Sequence, residues 1–210
     1  MILYLNCCVR KESRTDRLAR AVLESLHGEV TERNLYQENL HPLNRETLQK
    51  RTELAEQGDY RDEMFAYARQ FAGADTIVIA APYWDLSFPA PLKIYLENIY
   101  VIGLVSAYDE AGIPHGLCRA EKLYYVTTAG GFYDPTYSYG YIEKLAKSFF
   151  GIPQTYLVKA EGLDIAGNDA ETIINREIHL CSWLQKEKAA MKAKMSMEEF
   201  VKLGGFSPAK

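Results

Sequence analysis

The segment from Asp75 to Ala81 constrains the fold most. Its run Ile77-Val78-Ile79-Ala80-Ala81 is apolar without alternation. A strand of that kind is buried on both faces, as interior strands of parallel sheets are. Four further segments read as strands: Ile2 to Asn6, Val30 to Leu35, Glu121 to Thr128 and Gln154 to Lys159. Helical segments separate them. Residues 15–26 carry Leu18, Val22 and Leu26 at helical spacing, with Gly28 as the expected C-cap. Residues 45–71 read as mostly helical behind an Asn44 N-cap, with a break at Gly58. Residues 91–100 start on Pro91, and 138–150 end before Gly151 and Pro153. A long last helix is expected from Asp169 to about Lys194. Strict alternation of strand and helix calls for a parallel sheet covered by helices on both faces.

Five strands in this arrangement predict an α/β three-layer sandwich of flavodoxin-like order 2-1-3-4-5. Residues 105–117 stand apart. Two short extended pieces flank Asp109-Glu110-Ala111-Gly112, which reads as a hairpin inserted before the fourth strand. The expected organisation is one domain over 1–195 and a C-terminal tail over 196–210, in which Met197 to Leu203 has the pattern of a short helix.

In such a sheet ligands bind in the crevice at the carboxyl ends of the strands, where strand order reverses. Three segments occupy those ends. Asn6-Cys7-Cys8 and then Ser13-Arg14-Thr15 follow the first strand. Pro82-Tyr83-Trp84-Asp85-Leu86 follows the third, and Thr127-Thr128-Ala129-Gly130-Gly131 the fourth. Hydroxyls, a guanidinium and a helix start suit a phosphate. Aromatics and glycine backbone suit a flat ring. Together they describe a site for a phosphorylated aromatic cofactor.

Each segment has a plainer reading beside this one. Ser13 is a good N-cap in any helix. Trp84 can cap the core, and Gly130-Gly131 can be a turn. Phe132, Tyr133, Tyr137, Tyr139 and Tyr141 can line a substrate pocket or an interface, where tyrosine is enriched. There is no GxGxxG, no Walker loop, no GxSxG and no HExxH. The four cysteines and four histidines lack metal-ligand spacing. Vicinal Cys7 and Cys8 read as small buried hydrophobes rather than a redox pair. His115 reads as a loop residue, and the lysines at 186, 188, 192 and 194 as a solvated helix end.

A net charge of −4 argues against nucleic acid as the main partner. No apolar run reaches the roughly 20 residues of a membrane span. With no basic, apolar leader behind Met1, the expected location is the cytoplasm.

On these segments the chain resembles the FMN-dependent NADH:quinone oxidoreductase and azoreductase family, a flavodoxin-like NAD(P)H dehydrogenase group. The resemblance runs over about residues 1–185. It rests on Ser13-Arg14-Thr15, on Ala81 to Leu86 with Leu92-Lys93, on Thr127 to Gly131, on the hairpin insertion and on Ala160-Glu161-Gly162. It implies FMN as cofactor, NAD(P)H as co-substrate and a quinone or azo compound as acceptor, two electrons passing by a ping-pong mechanism. It implies that Cys7, Ser13, Arg14 and Thr15 line the phosphate. Pro82, Tyr83, Trp84, Asp85 and Leu86 would hold the ribityl chain and ring edge. Thr128, Ala129, Gly130 and Gly131 would meet the pyrimidine side. It also implies a homodimer with its sites at the subunit interface. No side chain is assigned as a catalytic acid or base, and no metal is expected. Cys7 stands where the family usually has serine, and Asp85 where it usually has asparagine. The rival reading is a flavodoxin-type electron carrier with no NAD(P)H activity of its own.

Overall fold

The computed structural model describes residues 1–181. The sheet is five-stranded and parallel: β1 (Ile2–Asn6), β2 (Val30–Asn34), β3 (Thr76–Ala80), β6 (Lys122–Thr128) and β7 (Gln154–Ala160) lie in the order β2-β1-β3-β6-β7. Counting sheet strands alone, this is the predicted 2-1-3-4-5. β4 (Ser106–Tyr108) and β5 (Pro114–Gly116) form the predicted antiparallel hairpin.

Successive β1 side chains enter two cores, as the strand period demands. Leu3 and Leu5 join Ile77, Ile79, Leu123 and Tyr125 beneath α3 (Ala66–Gly73), α4 (Ala90–Ile99) and α5 (Tyr139–Leu145). Ile2 and Tyr4 join Val78, Val126 and Ala160 against α1 (Arg14–Glu24) and a last helix, α6, helical over the described residues 170–181. Leu18, Ala19 and Val22 of α1 and Ile174 of α6 are wholly or almost wholly buried there. Each of the larger aliphatics contributes about 1.5–3 kcal/mol by leaving water. The uninterrupted apolar run of β3 thus reflects two covered faces.

Several boundaries differ from the sequence reading. α1 ends at a Ser25 cap, short of Gly28, which instead turns the chain into β2 with φ 140°. Residues 45–71 break at Gly58 as expected, but the gap between the two helices is wider than the sequence suggests. α2 (Arg45–Glu56) stops before Gly58, and a 3₁₀ turn (Glu63–Phe65) leads into α3. α2 buries no residue, so its Asn44 capping box rather than a core stripe marks it. After α5 the chain widens into a π-helical turn, Ala146–Phe150, that ends on left-handed Gly151. There the hairpin docks: a Cβ on Gly116 would lie 1.9 Å from Gly151 N and Phe150 C. The 196–210 tail, its predicted helix, the lysines at 186–194 and the far end of the last helix lie outside the described residues.

Candidate functional site

The carboxyl ends of β1, β3 and β6 open onto one cavity of about 850 Å³, within the roughly 300–1,000 Å³ usual for ligand clefts. Its wall includes the loop 9–12 and the start of α1, Pro82 to Trp84, and Thr128 to Gly130. Three segments far apart in sequence are therefore brought together where strand order reverses between β1 and β3.

Ser13 caps α1, its hydroxyl accepting from the Asp16 N–H at 3.3 Å. First-turn N–H groups have no partners inside a helix, and their dipole favours an anion. Arg14 and Thr15 stand at that end. Thr15, almost wholly buried, shares a 2.6 Å hydrogen bond with the hydroxyl of Thr128. Two hydroxyls carry two protons and this bond uses one, which leaves one O–H to donate to a ligand.

Past Ala80 the chain stays in ladder register. Ala81 N–H donates to Val126 O and Tyr83 N–H to Thr128 O. It then reverses through Asp85 and Leu86, with paired Trp84–Ser87 backbone bonds of 2.8 and 3.1 Å. Both central residues have positive φ, 49° and 67°, as a type I′ turn requires. Aspartate accepts that region more readily than leucine does.

The third segment is tied to a loop that the sequence reading missed. Ala129 N–H donates to Ala160 O, and Leu163 and Asp164 N–H groups donate back to Ala129 and Gly130 carbonyls. Leu163, Asp164 and Glu171 complete the wall. Asp164 bonds the Arg14 guanidinium at 2.9 Å, and Arg17 pairs with Glu171 at 2.9 Å. Neither Gly130 nor Gly131 has positive φ. A Cβ on Gly130 would lie 2.4 Å from Oδ2 of the exposed Asp164 side chain and would displace it. Gly131 faces open space. Turn residue Gly162, two before Asp164, is the one sequence signal for this loop.

Ser13, Arg14, Thr15, Pro82, Tyr83, Trp84, Thr128, Ala129 and Gly130 all lie on the wall. Cys7, Asp85, Leu86 and Gly131 do not. Cys7 is wholly buried in the core beneath α3 and α4, while Cys8 enters the core beneath α1. The neighbouring thiols thus point to opposite sheet faces, and both are free. Burial pushes Cys7 well above the usual thiol range and Cys8 to about 11, so both stay protonated at neutral pH. Tyr133 packs edge-on to Tyr83 with centroids 4.8 Å apart, and its hydroxyl meets Ser138 Oγ at 2.8 Å. Burial raises its pKa, so it holds its proton. His115 lies on the hairpin and not on the cavity wall.

Trp84, Leu86, Phe132 and Tyr137 are exposed, Phe132 by 86%. The loops that carry them are joined by Ser87 Oγ donating to Tyr137 O. Among the described residues no cluster of His, Cys, Asp or Glu is placed to hold a metal. No described helix is long and apolar enough to cross a membrane.

The family model for the flavodoxin-like fold matches residues 1–181. FMN-dependent NADH:quinone oxidoreductase 2 of Clostridium acetobutylicum is 34% identical over 199 residues, 89% of this chain and 98% of the relative. An FMN-dependent NADH:quinone oxidoreductase of Lachnoclostridium phytofermentans is 32% identical over 203 residues, 92% and 98% of the two chains. The crystal structure of an azoreductase from Bacillus anthracis superposes with a TM-score of 0.76 at 24% identity, over 89% of this chain and 98% of that one. The chain belongs to the flavodoxin-like family and, within it, to the FMN-dependent NADH:quinone oxidoreductases.

Proposed function

We propose that the cavity holds FMN and that the protein is an FMN-dependent NAD(P)H:quinone oxidoreductase that also accepts azo compounds. The observation that carries this reading is the convergence of three strand-end segments on one cavity at the reversal of strand order, beside the N-terminus of α1. The donor set fits the cofactor. Ser13, Arg14 and Thr15 offer hydroxyls, a guanidinium and first-turn N–H groups to the phosphate. Pro82, Tyr83 and Trp84 would run along the ribityl chain and ring edge, with Asp85 and Leu86 forming the turn beyond the wall. Thr128, Ala129 and Gly130 would meet the pyrimidine side, with Gly131 just off the wall. Cys7 contributes from below the wall, by packing the strand end from which the phosphate loop springs.

When bound, FMN supplies the electron-transfer chemistry, which no side chain of this protein can replace. The chain orients and shields it. The spare O–H of the Thr15–Thr128 pair would donate to the bound group. No side chain is assigned as acid or base, and solvent or the protonated Tyr133 would supply protons. NAD(P)H and the acceptor use the cavity in turn, two electrons passing per cycle in a ping-pong order. The exposed apolar residues around the mouth support a homodimer that covers them. The location in this reading is the cytoplasm.

Steady-state kinetics with NADH and a benzoquinone both varied test it. Parallel double-reciprocal lines, with activity dependent on added FMN, are expected. Intersecting lines contradict the ping-pong order. Flavin-containing protein without NADH turnover contradicts the enzyme reading and favours a carrier.

A further inference from the structure

An anion site at the start of α1 has a carboxylate in its wall. Asp16 is the third residue of the helix and lines the cavity with Ser13 and Arg14. Left alone, that charge would repel the phosphate the helix end attracts. Its surroundings dispose of it. Oδ1 accepts from Tyr4 O–H at 2.6 Å and from Asn6 Nδ2 at 3.1 Å, both from buried residues of β1. Oδ2 accepts from Arg20 Nε at 2.9 Å, one helical turn on. Arg20 lies on the cavity wall too, and its other arm bridges to Glu32 of β2 at 3.2 Å. Asn6 closes the network: its Nδ2 also donates to Glu32, and its Oδ1 accepts the Cys8 N–H where the phosphate loop begins.

We propose that Arg20 sets the site's selectivity for a phosphorylated flavin by neutralising Asp16, so that the pair is electrically silent toward the phosphate. Arg20 is a positioning and charge-balancing residue, with no contact to the cofactor required. The inference rests on the FMN reading above and adds to it a residue outside the three strand-end segments. Tyr4 and Asn6 are neutral and fix where the carboxylate sits. Arg20, shared with Glu32 on its far side, is the cation among the carboxylate's hydrogen-bond partners.

The test measures dissociation constants of FMN and riboflavin for the full-length protein and four variants, by quenching of flavin fluorescence at low and high salt. Arg20 is half exposed, so its replacement leaves the core intact. Arg20→Gln is expected to weaken FMN about three- to tenfold at low salt, less at high salt, with riboflavin unchanged. Asp16→Asn is expected to tighten FMN by a similar factor. The double variant is expected within about twofold of wild type, because it removes a neutral pair. Arg20→Lys keeps the charge and is expected to stay near wild type.

The inference is overturned if Arg20→Gln weakens FMN and riboflavin alike, which marks a structural role. It is also overturned if the double variant is as weak as Arg20→Gln, which marks a direct contact to phosphate, or if Asp16→Asn loosens FMN. Wild-type protein that binds neither flavin overturns the FMN reading itself, and this inference with it.

Discussion

The hydroxyls of Thr15 and Thr128 lie 2.6 Å apart, joining the first turn of α1 to the carboxyl end of β6 across 113 residues of sequence. This bond locks the two walls of the cavity together. Thr128→Val keeps the shape and removes the partner, leaving the buried Thr15 hydroxyl unpaired. The expected loss of stability is about 1–3 kcal/mol, partly recovered in the Thr15→Val/Thr128→Val double variant. Urea titrations of the three variants check it, and a double variant less stable than the sum of the singles would contradict it.

Gly130 and Gly131 look alike in sequence and should behave differently. A methyl group at 130 meets the Asp164 carboxylate at 2.4 Å, so that side chain must move away and release Arg14. Gly130→Ala is expected to weaken FMN binding several-fold, with less than about 1 kcal/mol lost from a surface ion pair. Gly131→Ala meets nothing and is expected to match wild type. Equal effects of the two substitutions would contradict this account.

The hairpin is held by close backbone contact. At Gly116 a Cβ would overlap Phe150 and Gly151 main-chain atoms, which cannot step aside. Gly116→Ala is expected to cost about 3 kcal/mol or more, at the severe end for point substitutions. Thermal unfolding followed by circular dichroism reads this directly.

Leu86 holds a left-handed conformation with its side chain 60% exposed. Such strain costs on the order of 1 kcal/mol. Asp85→Asn with Leu86→Gly supplies the preferred type I′ pair and is expected to raise stability by about that amount. A lower melting temperature would show that the leucine makes a contact worth more than the strain.

Glu161 accepts from Lys159 Nζ at 2.6 Å and from Tyr133 N–H at 2.8 Å. These partners, the lysine first, hold its carboxyl below its ordinary value of 4.5. A depressed acid contributes stability above its unfolded value and loses it as pH falls through the folded one. Glu161→Gln is therefore expected to lower stability at pH 7 and to shrink the difference from wild type below about pH 4.5. A difference that does not change with pH would contradict the pairing.

What the sequence made legible follows from local rules. The two-sided burial of β3 shows as an unbroken apolar run, and the order of strands and helices yields the sheet. The three cavity segments were visible because each carries residue types unusual at a strand end. The Leu163-Asp164 loop was not, since its role arises from backbone bonds to Ala129 and Gly130 across the sheet. The same holds for Asp16 and Arg20, which look like an ordinary i, i+4 surface pair until Tyr4 and Asn6 are placed beneath them. The resemblance placed Cys7 on the wall, whereas its reading as a small buried hydrophobe is what the structure shows. Strand alternation carries it to the face opposite α1. The π-helical turn at 146–150 has no local signature; docking of the hairpin on its end is a tertiary event.

The most direct test is the absorption spectrum of the purified protein with FMN, recorded anaerobically before and after NADH and again after a quinone. The account predicts that bound flavin loses its visible absorption band with NADH and regains it with the quinone. Protein that binds no flavin at excess FMN, or bound flavin that NADH leaves unchanged, would contradict it.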